Sequence, residues 1–177
     1  MRILIVFITV ILGIFIWGSA YFYQGTRGKL LEEWETANTI FRVRVTAYNE
    51  KALIIPGAYY VFQSAPIGSK NWQEIMTLKF DDPVPIPRDQ VRLVNDRIGY
   101  AFMGETYAVT TDSGRTWARW NADTELKDRV HVHSRSIEKV NIAADGTGTM
   151  HLYKNPFQQG PAPTLRTQDY GRHWKLE

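Results

Sequence analysis

The sequence predicts an all-β domain behind one apolar N-terminal segment. Three observations carry that expectation. Residues 3–23, ILIVFITVILGIFIWGSAYFY, form a run of 21 without a charge. From residue 41 onward, short runs alternate apolar and polar with period two, and each is bounded by Gly, Asn, Asp or Pro. One turn pattern occurs twice, as TTDSGRTW (Thr110 to Trp117) and as RTQDYGRHW (Arg166 to Trp174). With 177 residues, 44% hydrophobic and 13% aromatic, the chain has enough apolar mass for one domain with its own core.

The apolar run comes first. At about 1.5 Å per residue it spans roughly 31 Å, which matches a bilayer core of about 30 Å. Trp17, Tyr21, Phe22 and Tyr23 gather at its C-terminal end, where an aromatic belt sits. Two readings stand. Gly18 and Ala20 fit the small positions of a signal-peptide cleavage site, whereas Arg2 alone makes a thin basic leader and favours an uncleaved single-pass anchor over residues 1–24. Arg27 and Lys29 after the run weigh against Arg2 before it; the expectation adopted is a short tail inside and an extracytoplasmic (periplasmic or luminal) domain. Gly13 and Gly18, with Ser19 and Ala20, supply a small-residue face for packing against another helix.

Residues 25–40 read as a polar hinge followed by a short juxtamembrane helix. Leu30, Leu31, Trp34, Ala37 and Phe41 fall at helical spacing in KLLEEWETANTIF. Residues 41–177 read as the β-domain. Its candidate strands are FRVRVTAY, KALII, GAYYVFQ, WQEIMTL, QVRLV, IGYAFM, TYAVTT, TWARW, RVHVHS, EKVNIA, TMHLYK, PTLRT and HWKL. Asp81–Asp89 holds three prolines in nine residues and reads as a loop between sub-units, as does Asn155–Pro163. ADGTGT, Ala144 to Thr149, reads as a hairpin turn.

A strand, a glycine turn and a strand beginning near tryptophan recur three times, in YYVFQSAPIGSKNWQEI, TYAVTTDSGRTWARW and PTLRTQDYGRHWKLE. Asp112 and Asp169 are 57 residues apart, and Gly68 and Gly114 are 46 apart. A period of that size signals repeated supersecondary units, here about three blade-like antiparallel sheets. Within the turn, a short carboxylate accepts bonds from its own loop, glycine two residues later permits φ > 0, and tryptophan covers the hairpin.

The pattern resembles the Asp-box, or BNR repeat, Ser/Thr-x-Asp-x-Gly-x-Thr-Trp, of sialidases, sortilin-like receptors and photosystem II assembly factors. Thr110, Asp112, Gly114, Thr116 and Trp117 match every position. Thr167, Asp169, Gly171 and Trp174 match in the second copy, with His173 in place of threonine. In a third, degenerate copy Ser64 and Gly68 remain, Pro66 replaces the aspartate and Trp72 comes one residue late. The resemblance implies a propeller-like fold, incomplete or small for its family, in which these residues are structural.

It does not extend to sialidase chemistry. That activity needs an Arg-Ile-Pro motif, an arginine cluster and about six blades, and the motif is absent from this chain. Val94 to Trp117 is closest in style to the photosystem II assembly factors, which are non-enzymatic. Net charge is +3 with both signs interspersed, which offers nothing to nucleic acid. The absence of cysteine removes disulfide and thiolate-metal chemistry. His131 and His133 would share a strand face, but exposed or core-edge histidines are the commoner arrangement, so no metal and no cofactor is expected. The function expected is a non-enzymatic, membrane-anchored accessory or assembly subunit of a larger membrane complex, of photosynthetic or respiratory type. Its partners would be other subunits and the lipid bilayer. A surface glycan- or toxin-binding (immunity-type) module and a degenerate sialidase-like hydrolase are the alternatives.

Overall fold

Phe41, Val43, Val45 and Ala47 alternate with Arg42, Arg44 and Thr46, and that alternation fixes one strand with one dry face. The computed structural model describes residues 27–50, 57–131, 134–154, 156 and 160–177. The expected anchor, with Gly13 and Gly18, lies outside the described residues. Among the described residues no helix is long and apolar enough to cross a membrane.

Among the described residues, twelve strands form three antiparallel sheets of four, each built from consecutive strands. The first contains β1 (Arg27–Ala37), β2 (Phe41–Glu50), β3 (Ala58–Pro66) and β4 (Gln73–Phe80). The second contains β5 (Val91–Leu93), β6 (Gly99–Met103), β7 (Thr106–Thr110) and β8 (Ala118–Asn121). The third contains β9 (Ile137–Ile142), β10 (Gly148–Leu152), β11 (Thr164–Thr167) and β12 (Lys175–Leu176).

The middle sheet is dry on both faces along its central strands, β6 and β7. All five residues of β6 are buried. Ala101 and Met103 join Phe41, Val43, Val45, Tyr60 and Phe62 of the first sheet in one core. Tyr100 and Phe102 point the other way and join Val140, Met150, Leu152 and Leu165 of the third sheet in a second core. The far faces of the outer sheets are polar. Arg42, Arg44 and Gln63 occupy one; Asn141, Thr149 and Arg166 occupy the other.

Three expectations are corrected. Residues 27–37 form β1, paired along β2, and not a juxtamembrane helix. Trp34 lies opposite Val45 and is buried in the first core, so pairing with the free edge of β2 overrides the weak helical preference of Leu and Glu. The β-domain therefore includes residues 27–37 as well as those from 41 onward. RVHVHS is not a strand at any of its described residues, 129–131 and 134. Asn121 caps a short helix, α1 (Ala122–Glu125), and Val130 N–H donates to the Leu126 carbonyl at 2.9 Å, so a helical turn places Leu126 and Val130 in the core instead. The connection holding residues 155–163 lies within the third sheet, between β10 and β11, and not between sub-units.

The proline-rich loop 81–89 does link two sheets, from β4 toward β5. The Tyr60 hydroxyl, itself at the base of the first core, donates to the Val84 carbonyl at 2.7 Å and accepts from Val84 N–H at 2.6 Å. Ile86 is buried beneath the same loop.

Candidate functional site

The two signature turns join β7 to β8 and β11 to β12. In the first, Thr116 N–H donates to Asp112 Oδ1 at 2.9 Å and Thr116 Oγ1 to Oδ2 at 2.6 Å. Thr110 Oγ1 donates to Asp112 Oδ1 at 2.8 Å and accepts from Gly114 N–H at 2.9 Å. The second turn repeats the scheme: His173 N–H and Nδ1 meet the two Asp169 oxygens at 3.0 and 2.5 Å, and Thr167 Oγ1 donates to Asp169 at 2.7 Å. Burial raises the Asp112 carboxyl, but the bonds from Thr116 and Thr110 outweigh it and hold it below the usual range. At Asp169 burial is outweighed by the bonds from His173 and Thr167, and the carboxyl is lowered to about 2. Both carboxylates are ionised and fully engaged with their own loops, which leaves them little capacity for acid–base work.

Each turn also grips the sheet before it. A Cβ on Gly114 (φ 77) would come within 2.8 Å of the Phe41 ring, and one on Gly171 (φ 82) within 2.5 Å of the Tyr107 hydroxyl. Trp117 Nε1–H donates to Ser64 Oγ at 3.0 Å, and Ser64 Oγ donates on to the Gly114 carbonyl at 3.2 Å. Trp174 packs edge-on against Tyr107, with ring centroids 5.5 Å apart, and Arg172 donates to Thr111 Oγ1 at 2.6 Å. Trp174 is buried, whereas Trp117 is only half-buried. The nine matched turn residues therefore stitch sheet to sheet as well as closing hairpins.

The surface with open hydrogen-bonding groups lies elsewhere. Thr149 sits between Asn141 on β9 and Arg166 on β11, on the polar face of the third sheet. A cleft of about 470 Å³ runs over that row and is also lined by Arg92 of β5 and by Gln168. It continues into the seam between the second and third sheets, where Arg92 and Asn141 also line a smaller cleft with Lys139 and Asp89. On the other side it meets a cleft lined by Arg166, Lys175 and the Asp169 turn. The floor is shaped by Gly148, where a Cβ would lie 2.6 Å from the Asn141 carbonyl. Arg166 pairs with Glu177 across β11 and β12.

This trough is open and carries amide, hydroxyl and guanidinium groups, with Arg166 paired to Glu177, and it suits recognition of a carbonyl-rich surface. Three fully buried tyrosines are not available to it as nucleophiles. Tyr60, Tyr100 and Tyr107 each donate to a backbone carbonyl, and burial pushes all three phenols up. Among the described residues no cluster of three or more His, Cys, Asp or Glu is placed to hold a metal ion. His131 belongs to the irregular stretch after α1, and His133 lies outside the described residues.

The trough residues were missed by sequence reasoning. Arg92, Asn141, Thr149 and Arg166 carry no motif, and only register brings them side by side. Comparison of the chain with family models, with curated proteins and with solved structures finds no match.

Proposed function

We propose that the chain is a non-enzymatic, membrane-anchored accessory or assembly subunit, a small Asp-box, propeller-like domain that binds a neighbour within a larger membrane complex. The observation that carries this reading is the division of labour between the turns and the trough. Asp112, Asp169 and their threonines are engaged within their own turns, while Arg92, Asn141, Thr149 and Arg166 line one open surface. An apolar run long enough to span a bilayer would hold that surface at the membrane, where binding a neighbour becomes effectively intramolecular. A photosynthetic or respiratory complex fits the resemblance to assembly factors.

The test is extraction in gentle detergent through a C-terminal tag, with wild type and an Arg92→Glu/Arg166→Glu variant compared. Both side chains are exposed, so the variant, which gives up the surface Arg166–Glu177 pair, melts close to wild type and loses most of the co-purifying partner. Undiminished recovery of the partner by a folded variant would rule out the trough as the binding surface.

A further inference from the structure

The polar face of the first sheet is not uniform along its strands. Its central rows carry Glu33, Thr46, Val61 and Thr77, then Glu35, Arg44 and Gln63, with Arg42 and Arg44 stacked at 4.4 and 4.1 Å on Trp72. The row at the end where β1 begins is different. Leu30 lies opposite Tyr48, Tyr48 opposite Tyr59, and Tyr59 opposite Lys79, so one row crosses all four strands. Lys79 Nζ lies 5.7 Å from the Tyr59 ring. A leucine, two tyrosines and a lysine form the composition that settles where hydrocarbon gives way to headgroups.

The backbone is irregular at the same place. Register shifts fall between Arg27 and Leu30 and again between Leu30 and Glu32. The second leaves Leu30 and Leu31 together facing Tyr48, and a bulge of that kind turns two neighbouring side chains toward one side. Leu30 is 49% exposed and Leu31 47%.

Chain connectivity decides the occupant. The apolar run ends at Tyr23 and β1 starts at Arg27, four residues later. Four residues reach at most about 14 Å. So short a leash holds the domain close to the surface, with the end of the first sheet nearest the leash as its nearest part. Resting on the reading of residues 3–23 as an anchor, we propose that Leu31 and the Leu30–Tyr48–Tyr59–Lys79 row form a membrane-contact strip. The strip seats the first sheet at the headgroup boundary of a lipid bilayer. The trough on the third sheet, at the far side of the stack, is then left open to a partner.

The absence of native cysteine allows single-cysteine labelling of the full chain. Leu31→Cys and Lys79→Cys mark the two ends of the strip. Ile67→Cys, equally apolar at 48% exposure but in the β3–β4 turn at the opposite end of the sheet, is the control. Each variant is reconstituted into phosphatidylcholine vesicles, labelled with a polarity-sensitive fluorophore and challenged with lipids carrying a quencher on the acyl chain. Blue-shifted emission and several-fold stronger quenching at 31 and 79 than at 67 are expected. Equal quenching at all three positions, or quenching at 31 alone, would overturn the strip. An alkaline carbonate wash reports on the anchor separately. Release of the chain from the vesicles would sink the anchor reading, and with it the strip. Retention with water-like emission at 31 would sink the strip and leave the anchor intact.

Discussion

The Asp112 turn and the Asp169 turn run the same five hydrogen bonds on different side chains. His173 replaces Thr116 as donor to the outer carboxylate oxygen, and Tyr170 replaces Ser113 at the left-handed position before the glycine, with φ 65 against 63. The larger difference lies in the tryptophan. Trp117 Nε1 finds Ser64 Oγ in the preceding sheet, whereas Trp174 Nε1 is buried without a partner. Ser64 stands in the degenerate copy, where Pro66 takes the place of aspartate. Its hydroxyl is therefore available to the next sheet. The residue at the same repeat position one sheet on is Thr110, whose hydroxyl already donates to Asp112 and accepts from two N–H groups. A hydroxyl has one proton and two lone pairs, so it is saturated. A turn that keeps its carboxylate closes its own loop and leaves nothing for the next indole.

The strongest way to break this comparison is to remove the indoles. Trp174 is buried against Tyr107 and Trp120, so Trp174→Ala is expected to cost about 3–5 kcal/mol. Trp117 is half-buried, and Trp117→Ala is expected to cost less, about 1.5–3 kcal/mol including the lost bond to Ser64 Oγ. Denaturant melts of the full chain in detergent give the order. If Trp117 proves the more costly, its bond to Ser64 outweighs the deeper burial of Trp174.

Next in size are the carboxylates. Because each accepts three bonds from its own loop, Asp112→Ala and Asp169→Ala should each cost about 1–3 kcal/mol, and by similar amounts. A clear inequality would mean that His173 and Thr116 are not equivalent donors. Acid separates the two more gently. Both carboxyls are depressed on folding, so their contribution is complete above the unfolded value near pH 4 and fades as pH falls through the folded one. For Asp169 that places the loss between about pH 4 and about pH 2. His173→Thr is expected to make the acid limb of the Asp169 turn resemble that of Asp112. An unchanged acid profile in that variant would show that the imidazole contributes nothing.

Much of this was legible from the chain, for physical reasons. Period-two alternation and turn residues mark strands locally, and a carboxylate, a glycine and a tryptophan at fixed offsets mark a self-contained loop. Hence the three sheets and both turns were expected. What a local pattern does not encode is the partner across a gap. LLEEW has the spacing of a helix, and only the open edge of β2 makes it β1. VHVHS alternates like a strand, yet the Asn121 cap and the burial of Leu126 begin a helical turn just before it. The trough depends on register between β9, β10 and β11, which places Asn141, Thr149 and Arg166 in one row although 25 residues separate the first from the last.

The smallest effect tests the backbone itself. Ser113 and Tyr170 are the described non-glycine residues with positive φ. A side chain there costs about 1–2 kcal/mol, and glycine would relieve it at an entropic cost of about 0.5–1 kcal/mol in the unfolded chain. Ser113 holds the turn through its N–H, which donates to the Arg97 carbonyl at 3.0 Å and would survive the change. Ser113→Gly should therefore stabilise slightly, by about 0.5 kcal/mol. Tyr170 differs because its ring lies against Gly146, its hydroxyl donates to the Ala144 carbonyl at 3.4 Å, and its side chain packs on the second core. Tyr170→Gly removes those contacts and should destabilise. Thermal melts of the two variants must then move in opposite directions from wild type. Movement in the same direction would mean that the two turns share more than their hydrogen bonds, and that the tyrosine holds the Ala143–Thr147 hairpin no better than a serine does.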